Sequence, residues 1–184
     1  INKERDYCII CLFLNCGLRI SELIGLDDTD VRDDNVRVFG KGGKERIVYL
    51  NDACIAAVDA YRPVRRMMAG PDCKAFFIST RRERMSRSSV HAMVKKALAR
   101  AGLDASQYSS HKLRHTAATL MIQNGVDVRT VQEVLGHSNL NTTQIYTHVD
   151  NSELHIAADA NPLAKFKPPE GEKSKTTENT DKLE

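Results

Sequence analysis

No apolar run in this sequence is long enough to cross a bilayer. The obvious candidate, Cys8 to Leu14 (CIICLFL), falls well short of the roughly 20 residues a spanning helix needs. The Lys, Glu, Arg and Asp before it also make a poor signal-peptide n-region. It is expected to be a core helix of a cytosolic protein with no membrane partner. A paired cysteine framework is missing too: the five cysteines stand at 8, 11, 16, 54 and 73, three of them on the first helix, so reduced and mostly buried thiols are expected. There is no internal repeat. The glycine-rich GKGGKE (40–45) lacks the GxxxxGK frame of a phosphate loop and leads into a strand instead of a helix, which argues against nucleotide binding.

Strong overall charge is absent as well, but the net +3 conceals an uneven distribution. Residues 62–100 hold eleven Lys/Arg against two acids, residues 1–61 and 101–164 each carry a net −3, and 165–184 balance. A positive block of that kind suits either a polyanion contact or a solvated helix face. With 184 residues, 41% hydrophobic and 28% charged, the chain can bury one sizeable core. It opens on Ile1, inside what reads as a helix, and is expected to be a piece of a longer protein.

The coarse pattern is mainly α with a small antiparallel β-sheet, an α+β domain. Apolar positions at helical spacing predict a helix over 3–16, capped by Gly17, and a short second one over Ser21–Leu26. VRVF (36–39) and RIVYL (46–50) predict a hairpin with Lys41 in its connection. Then come a helix over Asp52–Met68, a strand-like AFFIS (75–79), an arginine-rich turn, and a helix over Ser88–Ala101 with Gly102 beyond it. HKLRHTAATLMIQNG (111–125) reads as a helix closed by Gly125, and DVRTVQEVLGH as one capped by Asp127 and ended by Gly136. NLNTTQIYTHV and DNSELHIAADA predict two more before Pro162. From Lys165 the composition predicts a disordered tail, leaving a domain over 1–164.

Several polar residues do not suit a core. Arg19 lies between Leu18 and Ile20, and Arg114 beside Leu113 and the Ala117, Ala118 and Leu120 face. Arginine is rarely buried without an anion, so the pair suggests one shared anion, while Arg19 could equally serve a salt bridge to Glu22. His111 and Arg114, three apart, should be neighbours at a helix start, where free N–H groups favour negative charge. His111 and His115 are spaced as in HExxH, but Lys112 replaces the required Glu and no third ligand is evident; His115 is expected to be a hydrogen-bonded core histidine. Lys41 on a hairpin tip could act as a mobile proton donor or phosphate contact. Tyr146, in a polar segment after His137, is either a half-buried packing residue or a nucleophile.

Arg19 in GLRISEL, Lys41 in GKGGKER, His111 and Arg114 in HKLRHT, His137 in LGHS and Tyr146 in IYTHV stand in the order and approximate spacing of the tyrosine recombinases. Residues 1 to about 160 resemble the catalytic domain of that family, of the phage-integrase and Xer type, a fold shared with type IB topoisomerases. The resemblance implies site-specific recombination, including DNA integration by mobile elements. Tyr146 would attack a DNA phosphorus to give a 3′-phosphotyrosine, with His111 as base. Arg19 and Arg114 would stabilise the phosphate, Lys41 (rather than Lys44) would protonate the leaving 5′-oxygen, and His137 would donate a hydrogen bond. No metal, cofactor or ATP is implied.

Arg81, Arg82, Arg84, Arg87, Lys95 and Lys112 would run along the duplex backbone. The implied partners are double-stranded DNA and further copies of the chain, a tetramer on DNA and a monomer when free, in the cytoplasm at the nucleoid. The resemblance also implies an N-terminal DNA-clamping domain, which these 184 residues are not expected to include. Residues 151–160 could dock on a neighbouring protomer or fold back on their own domain. Two rivals remain at this point: type IB topoisomerase-like relaxation, and a catalytically inactive DNA-binding module.

Overall fold

A computed structural model of the protein describes residues 3–40, 43–106, 108–136 and 151–166. The first helix, α1 (Lys3–Cys11), runs into a π-helical turn over Leu12–Cys16 and ends at Gly17, in the left-handed region at φ 58°. The single helix predicted over 3–16 thus changes pitch midway, and Asn15 Nδ2 donates to the Cys11 carbonyl (3.0 Å) within that wider turn. Cys8, Ile9, Leu12, Phe13 and Leu18 are fully buried. This segment is the central rod of the core, with α3 (Asp52–Met68) along α1 and α5 (Ser110–Gln123) against the π turn. Among the described residues no helix is long and apolar enough to cross a membrane.

The hairpin pairs β1 (Asn35–Phe39) with β2 (Glu45–Tyr49), antiparallel, Val36 opposite Val48 and Val38 opposite Arg46. Residues directly opposite share a face, and Val36, Val38 and Val48 are all buried. Arg46 therefore points toward the protein interior.

The third strand-like run, AFFIS (75–79), is not a strand: it makes only isolated bridges, Asp27 with Ala75 and Ile78 with Arg84. Side chains satisfy its backbone instead. Tyr61 Oη donates to the Phe76 carbonyl (3.1 Å) and accepts from the Ile78 amide (3.2 Å), while Arg65 Nε donates to the Ala75 carbonyl (3.0 Å). Phe76, Phe77 and Ile78 are buried against them. The composition that favours strands reflects burial here, without a ladder to join.

Helix ends follow the sequence closely. Ser86 caps α4 (Arg87–Arg100) by accepting from the Ser89 amide, Ser109 caps α5, and Asp127 caps α6 (Val128–Leu135) by accepting from the Arg129 amide at 2.8 Å. Gly136 ends α6 in the left-handed conformation. The helix predicted over 139–149 lies outside the described residues, as does the tail beyond Phe166. Of the five free cysteines, Cys8, Cys11, Cys16 and Cys54 are buried, as expected, and Cys73 is half-buried.

The last helix, α7 (Asn151–Asp159), folds back on its own domain. Ala157 is buried, His155 stacks on Tyr49 at 3.8 Å between ring centroids, and the Ala53 amide donates to the Ala164 carbonyl (2.7 Å). Two buried asparagines hold the chain after α7 and the start of α3 together. Asn161 Nδ2 donates to the Leu14 carbonyl (2.9 Å), and Asn51 Nδ2 donates to Asn15 Oδ1 and to the Ala158 carbonyl (3.0 Å each). Asn51 Oδ1 also caps α3 by accepting from the Cys54 amide (3.1 Å). Asn51→Ala should cost about 2 kcal/mol, since it removes a cap and strands a buried acceptor. Urea unfolding measures the loss, and hydrogen exchange should show α7 opening more often than in wild type.

Candidate active site

The C-terminal end of α6 is where the interior arginines meet. Arg114, buried on α5, donates from Nη1 to the Gly17 carbonyl (2.5 Å) and from Nη2 to the Leu135 carbonyl (2.6 Å). Arg19, immediately before α2 (Ile20–Gly25), donates to the same Leu135 carbonyl (3.3 Å) and to the Gly136 carbonyl (3.0 Å). The two arginines singled out by their apolar neighbours are thus brought together, sharing one acceptor at a helix end whose dipole favours cations.

Both guanidiniums gather round Glu22. Its Oε2 accepts from the Arg19 amide (2.8 Å), reaching back over the first turn of α2, and its Oε1 accepts from Arg19 Nη1 (2.9 Å). Arg19 therefore makes the salt bridge and also remains 39% exposed, so one side of its guanidinium is open to a ligand. Arg114 Nη1 stands 4.0 Å from Glu22 Oε2.

Sequence reasoning missed the third member, Arg46 on β2. It forks onto Glu22, Nη1 to Oε1 (2.8 Å) and Nη2 to Oε2 (3.1 Å), and its Nε donates to the Val134 carbonyl (3.1 Å). The signal was available: in RIVYL the alternation that points Val48 and Leu50 inward also points Arg46 inward.

The electrostatics are those of a crowded cation site. Burial opposes the charged form of Glu22, yet hydrogen bonds from Arg46 and Arg19 outweigh it and hold the carboxylate below its usual range. Burial, followed by repulsion from Arg19, lowers Arg114 to about 10 while Glu22 pulls the other way, so it stays protonated at neutral pH. Three guanidiniums face one carboxylate, and the surplus positive charge suits a further anion.

His111 and His115 lie elsewhere on α5 from Arg114. The buried stripe Leu113, Arg114, Ala117 and Met121 turns Arg114 inward, while both histidines are exposed, their Nε2 atoms 3.1 Å apart. His115 is therefore not the core histidine expected from the sequence: at four residues' spacing it follows His111 to the outer face. Lys41, His137 and Tyr146 lie outside the described residues. Their flanks do not: Gly40 donates to the Lys44 carbonyl (2.7 Å) at the hairpin end, and Gly136, the residue before His137, rests on Arg19.

The predicted backbone contacts divide. Arg84 is committed to the fold, donating to the Ile24 (2.7 Å) and Leu26 (3.0 Å) carbonyls and pairing with Asp27. Arg62 and Arg65 of the same positive block likewise bind carbonyls at Val31 and Ala75. Arg81, Arg82, Arg87, Lys95 and Lys112 are exposed, Lys112 with its ammonium 5.8 Å from the centre of the Tyr108 ring.

A mainly helical domain with one small hairpin also matches known proteins in sequence and in fold. The chain belongs to the Phage integrase family, whose profile matches residues 1–153. It is similar to the tyrosine recombinase XerC of Caldanaerobacter subterraneus subsp. tengcongensis, 55% identical over 164 residues that make up 89% of this chain and 46% of that protein. Among solved structures it is similar to XerA recombinase, with 35% identity, a TM-score of 0.69, and coverage of 84% of this chain and 57% of that one. It is also similar to XerH site-specific recombinase bound to difH substrate in a pre-cleavage complex, with 28% identity, a TM-score of 0.66, and coverage of 86% and 48%. The chain spans about half the length of the curated relatives it matches.

Proposed function

We propose that residues 1–164 are the catalytic unit of a site-specific DNA recombinase that cleaves and rejoins strands through a 3′-phosphotyrosine, without metal or ATP. The observation that carries this reading is the excess of guanidinium over carboxylate at the end of α6, one residue before His137. A phosphodiester resists attack because it is anionic and both its nucleophile and its leaving group need proton transfer. Arg19 and Arg114 retain unused N–H donors that can fork onto the non-bridging oxygens and stabilise the charge of the pentacoordinate transition state. Tyr146 attacks, His111 takes its proton, Lys41 gives one to the 5′-oxygen, and His137 hydrogen-bonds the phosphate. Because the ester conserves the bond energy, a 5′-hydroxyl from another strand can reverse the step. The relatives' names as recombinases favour such an exchange over simple relaxation, and it would run in a homotetramer on DNA at the nucleoid.

The exposed Arg81, Arg82, Arg87, Lys95 and Lys112 supply the duplex-backbone contacts, with salt-dependent affinity. The test is a nicked suicide duplex of the recombination site, offered to the full-length protein in EDTA. A covalent adduct should form, and digestion should leave the nucleotide on the peptide that contains Tyr146. Attachment elsewhere, or a requirement for divalent metal, overturns the mechanism. DNA binding with no adduct at all would favour the inactive module instead.

A further inference from the structure

The geometry points to a two-imidazole chelating site for a divalent transition-metal ion, formed by His111 and His115 on the outer face of α5, whose occupancy switches cleavage off. The two Nε2 atoms already converge to 3.1 Å from positions one helical turn apart, and both rings are exposed. A tetrahedral zinc with bonds of about 2.0–2.1 Å needs its two nitrogens only slightly further apart, about 3.3 Å. Small rotations of the two rings therefore admit the ion, with no movement of the helix. The two ring planes stand at 89° to each other with centroids 4.6 Å apart, edge to face on the open side of the helix.

In the metal-free state one Nε2 must donate to the other. In the chelate both Nε2 atoms are bare and both protons sit on Nδ1. No carboxylate or thiolate joins the pair among the described residues, and its neighbours are Lys112, Thr116 and Thr119, so water completes the coordination. This is not a resident cofactor site, because the chemistry proposed above needs no metal. Its ligand class is the borderline ions that favour imidazole: copper(II), nickel(II) and zinc, in the order expected of nitrogen ligands, with magnesium and calcium excluded.

The effect on cleavage rests on the assignment of His111 as the base. With Nε2 bound to the ion and Nδ1 protonated, the ring has no free lone pair with which to take the tyrosine proton. Zinc should then inhibit cleavage, and EDTA should restore it.

Binding is tested on this chain by zinc calorimetry in a Cys73→Ser background, which removes the half-buried thiol. One ion per chain should bind, and both His115→Gln and His111→Gln should weaken it by about tenfold or more, since each leaves a monodentate site. Both histidines are exposed, so neither variant disturbs the core. Zinc affinity unchanged in His115→Gln, or magnesium binding as well as zinc, overturns the site. Cleavage by the full-length protein is the second arm, each variant referred to its own zinc-free rate. Zinc inhibition that His115→Gln abolishes supports the switch. Full cleavage by a zinc-loaded wild type overturns the switch and the base assignment, while the calorimetry decides the site separately.

Discussion

Glu22→Gln should destabilise the domain by about 3 kcal/mol, the lower end of what removing one partner of a buried ion pair costs. The carboxylate is 2% exposed and accepts hydrogen bonds on both oxygens, from Arg46 and from Arg19. Glutamine keeps the shape but offers one acceptor oxygen and no charge, leaving Arg19, Arg46 and Arg114 to repel one another over the end of α6. Arg19 is partly solvated and can relax outward, which keeps the loss at the low end.

The pH dependence has a definite sign. The folded carboxyl titrates below its ordinary value, so its contribution is fully present above the unfolded pKa of about 4.3 and is lost as pH falls through the lower, folded one. Urea unfolding should therefore show the gap between wild type and variant at neutral pH and a narrowing gap in acid. Sulfate or phosphate should stabilise the variant more than wild type, because an anion can take the place of the missing charge. A variant as stable as wild type at pH 7 would mean that the arginines are held by carbonyls alone.

How much of this cluster was legible in the sequence depends on the kind of cue each residue left. Arg19 and Arg114 stand out because a charged side chain interrupts an apolar face, and the structure joins them at the Leu135 carbonyl. Arg46 left the same cue, but at a two-residue period inside a short strand, where a charge at the strand start passes for an exposed end. His111 and Arg114 share a helix but not a face, because a three-residue step spans about 60° around the axis, enough to turn one residue inward and the other outward.

The fold shows the same division. The cap at Asp127 and the stops at Gly17 and Gly136 are local events and were readable locally. AFFIS was not, since whether an apolar extended run joins a ladder depends on what lies beside it, here Tyr61 and Arg65. Arg84 belongs to the positive block by composition, but its two carbonyl acceptors on the α2 side are nearly 60 residues away in sequence. The docking of α7 on its own domain likewise rests on Asn51 and Asn161, buried amides that no periodicity marks.

Gly17→Ala should cost about 3 kcal/mol and lower the melting temperature by roughly 10 °C, from two separate causes. Its φ of 58° is left-handed, where any Cβ costs about 1–2 kcal/mol. The added methyl would also stand 2.4 Å from Leu135 Cδ2, with Ala117 Cβ at an ordinary contact distance of 3.5 Å, so this buried leucine must shift, at an overpacking cost of about 1 kcal/mol. Gly25→Ala is the control: nothing lies within 4 Å of its added Cβ, and within α2 an alanine should stabilise slightly. The two causes separate in a double-mutant cycle with Leu135→Ala, which removes the clash but leaves the backbone strain, so the pair should lose less than the sum of the single variants. Additive losses would assign the whole effect to the backbone. Leu135 also presents the carbonyl shared by Arg19 and Arg114, and Gly17 presents the other acceptor of Arg114. Displacing either carbonyl should therefore lower the cleavage rate beyond what the unfolded fraction explains, whereas Gly25→Ala should not.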